Sequence, residues 1–196
     1  MNLALFDFDG TITSEDTYSK FIFYSTSKWR LGFGYLFAWP IVTSYWLGWV
    51  KPSVTRPIVS RIAFAGRRVK VIEDIAHKYV AEYLPSVIRP EMHAKIAWHQ
   101  EQGDDIFVVS ASVDIYLRLW CEQQGIGLVC SELKTCGAYF TGGYVQGDCS
   151  LERKVAFLQP HINLSNYQTV YAYGDSDEDK PLLDIADVKY YQGKRI

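Results

Sequence analysis

The sequence predicts an α/β fold: a Rossmann-like, doubly wound parallel sheet core with an inserted α-helical cap. Two observations lead to this prediction. In residues 86–196, short apolar runs typical of buried strands alternate with segments of helical apolar spacing, which favours a mainly parallel sheet with helices on both faces. A first apolar run near the start is followed instead by a long stretch of mostly helical spacing. We therefore assign residues 1–13 and 86–196 to the core and residues 14–85 to the cap.

The predicted elements follow this division along the chain. The first strand covers residues 3–8. The helical stretch after it is expected to break at Pro40, Pro52 and Pro57, because proline lacks the N–H of a helical hydrogen bond. The remaining elements are a helix at 90–102, a strand at 105–110, a helix at 113–124 with Ser112 as its N-cap and Gly125 at its end, a strand at 128–133, a hairpin at 138–146, a helix at 151–158, a strand at 169–173 and a short helix at 180–185.

Composition and charge narrow the classes of protein. The 196 residues are 48% hydrophobic, enough for a buried core, and the four cysteines show neither zinc-site nor disulfide-framework spacing. The chain begins without the basic and small-residue signature of a secretory signal, so we expect a cytoplasmic protein. Between Thr17 and Ile72 there are nine Lys or Arg and no Asp or Glu, whereas the rest has 11 Lys or Arg against 22 Asp or Glu. One basic segment thus lies in an otherwise acidic chain, and no nucleic-acid partner is expected.

Polar side chains follow three of the predicted strands at the point where each strand ends. Asp7 and Asp9 end the first strand, Ser110 ends the second and Asp175 follows the strand at 169–173. Parallel strands end at one edge of a sheet, so these side chains are expected to meet there. Asp7 and Asp9 are two residues apart and share a side of the strand, and Gly10 permits a sharp turn after them.

Clustered carboxylates repel one another unless a cation lies among them, and oxygen ligands at close range suit Mg²⁺. Asp7 and Asp175 are the expected side-chain ligands, and Asp179 lies one helical turn beyond Asp175 if that segment is helical. Magnesium sites of this kind usually receive a phosphate. Lys154 then supplies a fixed positive charge to one phosphate oxygen, and Ser110 donates a hydrogen bond to another.

These motifs, in order, resemble those of the haloacid dehalogenase superfamily. The motifs are DFDGT at the start, Ser110 in VVSAS, Lys154, and GDSDEDKPLL from Gly174 to Leu183. The helical insert directly after the first motif is similar to the type I cap of the phosphoserine-phosphatase-like branch. The resemblance covers the core, whereas the cap matches in position and helical character more than in sequence.

The resemblance implies a role for each motif residue. Asp7 would be the nucleophile that forms an aspartyl-phosphate, and Asp9 the acid and base of the two half-reactions, with its backbone carbonyl on Mg²⁺. The other implied roles concern the phosphate and the metal: Thr11, Ser110 and Lys154 bind phosphate, Asp175 ligates the metal and Asp179 orients the site. The implied activity is a magnesium-dependent phosphatase.

The uncharged run Leu31–Val50 has the length of a membrane span. A single crossing inside the cap would place Asp7 and the later motifs on opposite sides of a bilayer, so we exclude it. A re-entrant hairpin or a helix in the membrane interface stays open, and the tryptophans of this segment favour the headgroup level: Trp29, Trp39, Trp46 and Trp49. The alternative is that these aromatic residues pack the cap, while the basic residues frame an anionic substrate entrance. The membrane hypothesis further predicts that the protein contacts the anionic inner face of a membrane peripherally, through the cap.

The substrate also has two open alternatives. Within the branch the chain looks most like phosphatidylglycerophosphatase C-type enzymes, which suggests a phospholipid phosphate such as phosphatidylglycerophosphate. The rival is a small soluble phosphate such as phosphoserine, although Asp16 stands where phosphoserine phosphatases carry a cap glutamate. Leu151 stands where the branch commonly has glycine. A non-catalytic phosphate- or membrane-binding module is a third hypothesis, but no motif residue is missing.

Overall fold

The computed structural model describes the backbone of residues 1–196 and every side chain except those of Phe37, Val42, Tyr45 and Trp46. The strands are β1 (Leu3–Phe6), β2 (Asp105–Val113), β3 (Gly127–Ser131), β4 (Leu133–Cys136), β5 (Tyr139–Tyr144), β6 (Val170–Gly174), β7 (Val188–Tyr191) and β8 (Lys194–Arg195). The α-helices are α1 (Thr17–Ser25), α2 (Lys28–Trp46), α3 (Pro52–Phe64), α4 (Val69–Lys78), α5 (Leu84–Val87), α6 (Pro90–Glu101), α7 (Asp114–Gln124), α8 (Glu152–Leu158) and α9 (Lys180–Asp184). A π-helical turn, Tyr79–Tyr83, joins α4 to α5, and a 3-10 turn, Asp177–Asp179, precedes α9.

Six strands form one sheet in the order β3-β2-β1-β6-β7-β8. The first five are parallel, and β8 is antiparallel to β7. At the centre, Phe6 of β1 pairs with Val108 on one side and with Tyr173 on the other. The chain builds β2 and β3 on one side of β1 and then β6 and β7 on the other, which places the topological switch point at the end of β1. The predicted fold class is confirmed.

Both faces of the central strand are buried, as a doubly wound sheet requires. Ala4 and Phe6 point into one apolar cluster, and Leu3 and Leu5 into a second on the opposite face. Because the side chains of a strand alternate, four consecutive apolar residues can fill both layers. This is why the sequence begins with an unbroken apolar run.

The chain leaves and re-enters the core through two adjacent segments. Thr13 and Ile88 form an antiparallel bridge. Next to it, Ser14 N donates to Val87 O at 2.8 Å and Arg89 N donates to Ile12 O at 2.8 Å. This pairing lies next to both ends of the expected cap at 14–85, and the division itself stays a prediction.

The β4–β5 hairpin contacts the helical insert, although the sequence places it in the core range. It forms a separate two-stranded sheet. Gly66 N donates to Phe140 O and Phe140 N donates to Arg67 O, both at 2.9 Å. The hairpin is therefore joined by backbone hydrogen bonds to the turn between α3 and α4.

Two of the three expected helix breaks are wrong. Helix α2 continues through Pro40 and α3 continues through Pro57, whereas Pro52 does mark a helix start, as the first residue of α3. One proline removes one helical hydrogen bond, and the bonds on either side persist. Near Pro40 the hydroxyls of Thr43 and Ser44 add donors to backbone carbonyls, with Ser44 Oγ 2.6 Å from Pro40 O. Among the described residues, no helix combines the length and apolar character needed to cross a bilayer.

The expected N-cap at Ser112 is also wrong. Strand β2 runs beyond Ser110 to Val113, with a shift in its pairing to β3 between these two residues, and α7 begins at Asp114. Val113 occupies the N-cap position without a side-chain hydrogen bond. The hydroxyl of Ser112 donates to the Asp9 carboxylate instead. Gly125 ends α7 in the left-handed conformation, at φ 67°, as predicted.

Candidate active site

The turn after β1 brings two acidic segments together. Asp7 ends the strand, and the chain reverses over Phe8–Ile12 with Gly10 at φ 80°. A Cβ at position 10 would lie 2.3 Å from Oδ2 of Asp175, so only glycine permits this approach. The DFDG motif thus places Asp175, at the end of β6, against the turn that follows Asp7.

A buried lysine bridges two carboxylates at the centre of the site. Lys154, the third residue of α8, is 1% exposed. Its Nζ donates to Asp7 Oδ1 at 2.5 Å and to Asp179 Oδ1 at 2.6 Å. Burial alone would lower the pKa of Lys154, but the two carboxylates outweigh it and raise the pKa above its ordinary value. Lys154 is therefore a fixed positive charge.

Asp179 also organises the loop after β6. Its Oδ2 accepts hydrogen bonds from Asp175 N at 3.1 Å, Ser176 N at 3.0 Å and Ser176 Oγ at 3.0 Å. Burial opposes ionisation, yet Lys154 and these backbone donors lower the pKa of Asp179 below its usual value. Thr11 Oγ1 donates to Asp175 Oδ1 at 3.3 Å. Asp179 is thus held as a carboxylate by the loop that presents Asp175.

The acidic residues have the chemistry of a divalent-cation site. Carboxylate oxygens of Asp7, Asp175 and Asp179 all lie within 4.8 Å of one another. Burial, followed by the charge of Asp179, raises the pKa of Asp7 well above its usual value. Three carboxylates and the one ammonium of Lys154 leave two negative charges uncompensated among these four groups. A hard cation with charge +2 and oxygen ligands matches this donor set.

The Asp9 carboxylate points away from this cluster. Thr17 N and Thr17 Oγ1 donate to Asp9 Oδ1 at 2.6 and 2.5 Å, and Ser112 Oγ donates to Oδ2. Burial, with a smaller contribution from the charge of Asp16, raises the pKa of Asp9 to about 6. A carboxyl group with such a pKa can both give and take a proton near neutral pH.

A cavity of 1150 Å³ opens above these groups, between the sheet and helices α1, α2 and α3. Its floor holds Asp7, Asp9, Ser110, Lys154 and Asp175. Its walls are mainly apolar and include Tyr18, Ile22, Phe23, Leu31, Val59, Ile62 and Leu151. The structure therefore brings five of the predicted site residues into one cavity.

Thr11 has a different place from the one expected. It lines a smaller cavity of 340 Å³ together with Arg89, on another side of Asp175, and its hydroxyl is bonded to Asp175. Asp179 is buried beneath Lys154 and does not line the large cavity. Asp7, Asp9, Ser110, Lys154 and Asp175 thus form the part of the predicted site that a ligand in the large cavity can reach.

Comparison with protein families agrees with this geometry. The family described as haloacid dehalogenase-like hydrolase matches residues 4–184. The chain belongs to this family. The match includes every residue of the candidate site, and it confirms the predicted superfamily and the predicted enzyme class, a phosphatase of this superfamily.

Individual proteins similar to this haloacid dehalogenase-like hydrolase fall into two groups. Among curated proteins, it is 29% identical to Protein CicA of Caulobacter vibrioides over 97% of this chain and 85% of that protein. It is 27% identical to the Histidinol-phosphatase of Neisseria meningitidis serogroup C, over 57% of this chain and 54% of that protein. Among solved structures, a protein of unknown function from Bordetella pertussis Tohama I has a TM-score of 0.78 at 16% identity, covering 96% of this chain and 88% of that one. A substrate-bound phosphoserine phosphatase has a TM-score of 0.67 at 16% identity, covering 97% and 85%. The two structures show a shared fold.

Sequence reasoning missed several residues of this hydrolase that line or support the cavity. Arg56 of α3 reaches the core, where it pairs with Asp148 at 3.0 Å and with Glu178 at 2.5 Å. No motif signals this pairing, because its partners lie far apart in sequence. Thr17 and Ser112 bind Asp9, whereas the sequence predicted only a helix N-cap at Ser112 and no role for Thr17.

Leu151 adopts a backbone conformation that favours glycine. Its φ is 53°, in the left-handed region, three residues before Lys154. The absence of glycine at this position was visible in the sequence. The structure adds that the Leu151 side chain lines the large cavity. An apolar group is thus held beside Lys154 at a cost in backbone strain of about 1 kcal/mol or more.

Proposed function

We propose that the protein is a magnesium-dependent phosphomonoester hydrolase that works through an aspartyl-phosphate on Asp7. The observation that carries this proposal is the contact of Lys154 with Asp7 and Asp179 at the floor of an open cavity. Family membership supports the same reaction class. The particular similarity to phosphatidylglycerophosphatase C-type enzymes stays a prediction.

In the first half-reaction, a carboxylate oxygen of Asp7 attacks phosphorus, and the bond from phosphorus to the ester oxygen breaks. The leaving oxygen takes a proton from Asp9, whose pKa of about 6 suits this task. Lys154 and the hydroxyl of Ser110 stabilise the charge on the phosphoryl oxygens. The products of this step are the free alcohol and the aspartyl-phosphate.

In the second half-reaction, Asp9 removes a proton from water, and the water oxygen attacks phosphorus. The bond between phosphorus and Asp7 breaks, which releases inorganic phosphate and restores the carboxylate. Because Asp9 gave its proton away in the first step, it is ready to act as a base in the second. One residue can thus serve both half-reactions.

Asp7, Asp175 and the backbone carbonyl of Asp9 would hold Mg²⁺, with Asp179 orienting Asp175 through the backbone of the loop. The ion supplies positive charge that lowers the repulsion between the phosphate and the carboxylates. We propose this ligand set because the carboxylate oxygens lie close together and carry excess negative charge.

We further propose that the substrate is a phosphate ester with a long apolar group, such as a phospholipid phosphate. The cavity above Lys154 is large, and its walls are predominantly apolar. The charged residues in its walls are either paired, as Arg56 is with Asp148 and Glu178, or exposed to solvent, as Asp16, Lys51 and Asp177 are. Exposed charges gain little from pairing with the ammonium and carboxylate of an amino-acid phosphate, whereas the apolar walls would bury an alkyl chain, which favours the apolar ester.

Chain-length dependence tests this substrate class. We expect kcat/KM for alkyl phosphates in detergent to rise with chain length, because each buried methylene contributes about 0.8 kcal/mol. Four added methylenes would raise it by about 10²-fold if all are buried. Leu31→Asn in the cavity wall is expected to reduce this gain, whereas the control Leu164→Asn, at an exposed site outside the cavity, is expected to leave it unchanged.

The rival substrate class belongs in the same assay. Similarity to the Histidinol-phosphatase of Neisseria meningitidis favours a small soluble phosphate. Phosphoserine and histidinol phosphate are therefore assayed beside the alkyl phosphates. Higher kcat/KM for either compound than for every long-chain ester would contradict the apolar-substrate proposal and favour the rival.

The cap would also bring the protein to an anionic membrane surface. Its exposed aromatic face consists of large side chains on α2 and the segment after it: Trp29, Phe33, Leu36, Trp39, Leu47 and Trp49. Trp29 is 80% exposed and Trp49 is 77% exposed. Trp46, also expected to contribute, lies outside the described side chains. Leu31 and Tyr35 of the same helix line the large cavity, so a bilayer at this face would lie next to the entrance for a lipid.

Vesicle sedimentation tests this contact. We expect wild-type protein to sediment with vesicles of phosphatidylglycerol and phosphatidylcholine and to bind less to phosphatidylcholine alone, because basic residues near an anionic surface add about 1 kcal/mol each. Trp29→Ser combined with Trp39→Ser is expected to reduce binding at least about 10-fold. Trp98→Ser on α6 is the matched control, since Trp98 is exposed but outside the cap. Equal losses in both variants, or no binding by wild type, would rule out a specific role of the face.

A further inference from the structure

The first residue of α1 holds the Asp9 carboxylate. Thr17 contributes both its backbone N–H, 2.6 Å from Asp9 Oδ1, and its hydroxyl, 2.5 Å from the same oxygen. The backbone N–H belongs to the first turn of a helix, where it has no intrahelical acceptor. Ser112 of β2 donates to the other oxygen, Oδ2. Asp9 is thus clamped between the core sheet and the start of the helical insert.

The two oxygens of Asp9 are not equivalent in this arrangement. An ionised carboxylate has about two acceptor sites on each oxygen. Thr17 fills both sites of Oδ1, whereas Ser112 fills one site of Oδ2. Oδ2 is therefore the oxygen with an acceptor site left for a proton, and Asp9 lines the large cavity.

Further buried hydrogen bonds fix Thr17 itself. Its Oγ1 lies 2.9 Å from the hydroxyl of Tyr116. Because Thr17 has one hydroxyl proton and gives it to Asp9, Tyr116 must be the donor in this pair. On the other side, Tyr79 donates to Thr17 O at 2.9 Å. Thr17, Tyr79 and Tyr116 are all 0% exposed, so water cannot replace these bonds.

We infer that Thr17, supported by Tyr116, is a positioning residue that saturates Oδ1 of Asp9 and so places the transferable proton on Oδ2. The inference rests on the proposed function, in which Asp9 passes that proton to the leaving oxygen as the bond to phosphorus breaks. In the second half-reaction the same oxygen regains a proton from water. The start of α1 thereby controls which carboxylate oxygen of Asp9 faces the substrate.

Leaving groups of different basicity test this role. An alkoxide needs a proton as it leaves, whereas para-nitrophenolate does not, and kcat/KM reports the steps up to formation of the aspartyl-phosphate. We expect Thr17→Val to lower kcat/KM for an alkyl phosphate by about 10²-fold and for para-nitrophenyl phosphate by no more than about 3-fold. Thr17→Ser keeps the hydroxyl and is expected to stay close to wild type with both substrates.

A purely structural role of Thr17 would lower kcat/KM for both substrates equally and leave the ratio of the two values unchanged. That result overturns the inference, as does wild-type kcat/KM with both substrates. If Thr17→Val does not fold, Tyr116→Phe decides, with a smaller loss expected that is again confined to the alkyl phosphate. Wild-type protein that hydrolyses neither substrate with Mg²⁺ would instead refute the proposed function. The two failures are therefore distinguishable.

Discussion

Replacing Asp7 by asparagine is expected to lower phosphomonoester hydrolysis by at least about 10⁴-fold, the scale of loss seen when a covalent nucleophile is removed. The amide has nearly the same shape as the carboxylate, but it cannot form the aspartyl-phosphate. Burial and Asp179 already raise the pKa of Asp7, so removal of its charge relieves repulsion while it weakens the contact with Lys154. These effects oppose each other, and we expect Tm to change by no more than about 4 °C.

The measurement is turnover of a phosphomonoester panel with Mg²⁺, together with acid quenching of the wild type on a radiolabelled substrate. The label is expected on the peptide that contains Asp7, and chelation by EDTA is expected to stop turnover until Mg²⁺ is added back. Asp184→Asn is the matched control, because Asp184 is exposed and does not line the cavity. Asp7→Asn protein that retains more than a tenth of wild-type activity would refute the nucleophile assignment.

The sheet and the edge that carries the candidate site could be predicted because they depend on local patterns. The apolar run at Leu3–Phe6 must fill both faces of a central strand, and strand–helix alternation after residue 90 allows few other folds. The close approach of Gly10 and Asp175 follows the same logic: a glycine after a strand predicts a turn, and parallel strands end at one edge. Placing Asp7 and Asp175 together therefore needed only sequence order and fold class, whereas the role of Lys154 also needed the expected phosphate and the resemblance to the superfamily.

The contacts between the insert and the core could not be predicted in this way. Arg56 meets Asp148 and Glu178 across 92 and 122 residues of sequence, and no local pattern selects these partners among the other charges. The local sequence around Ser112 indicates a helix cap, but in the folded protein its hydroxyl donates to Asp9 instead. The helix break predicted at Pro40 is wrong for a related reason: the local rule for proline was outweighed by the helix on both sides of it.

Replacing Lys154 by methionine is expected to reduce both activity and stability strongly. Methionine fills a similar volume, but it leaves the buried carboxylates of Asp7 and Asp179 without the ammonium that lies 2.5 and 2.6 Å from them. The side chains of Lys154 and Asp179 are 2% and 1% exposed, so water cannot compensate. Removal of one partner of a buried ion pair costs about 3–5 kcal/mol, and we expect the free energy of unfolding in EDTA to fall by about this amount. The variant also lacks the ammonium that stabilises the phosphoryl group during transfer, so we expect kcat to fall by at least about 10²-fold.

Urea unfolding in EDTA measures this loss, and a second substitution separates charge from packing. If uncompensated charge causes the loss, Asp179→Asn added to Lys154→Met should restore about 1–3 kcal/mol of it, although activity stays low. If lost packing causes it, the second substitution should restore nothing. Mg²⁺ should also raise Tm more in Lys154→Met than in wild type, because the cation then supplies the positive charge that Lys154 no longer provides to these carboxylates. Lys180→Met is the matched control: its pair with Asp177, at 2.7 Å, is exposed, so its removal should change stability little. A loss as large in Lys180→Met as in Lys154→Met would contradict the assignment of the buried bridge as the main electrostatic support of the site.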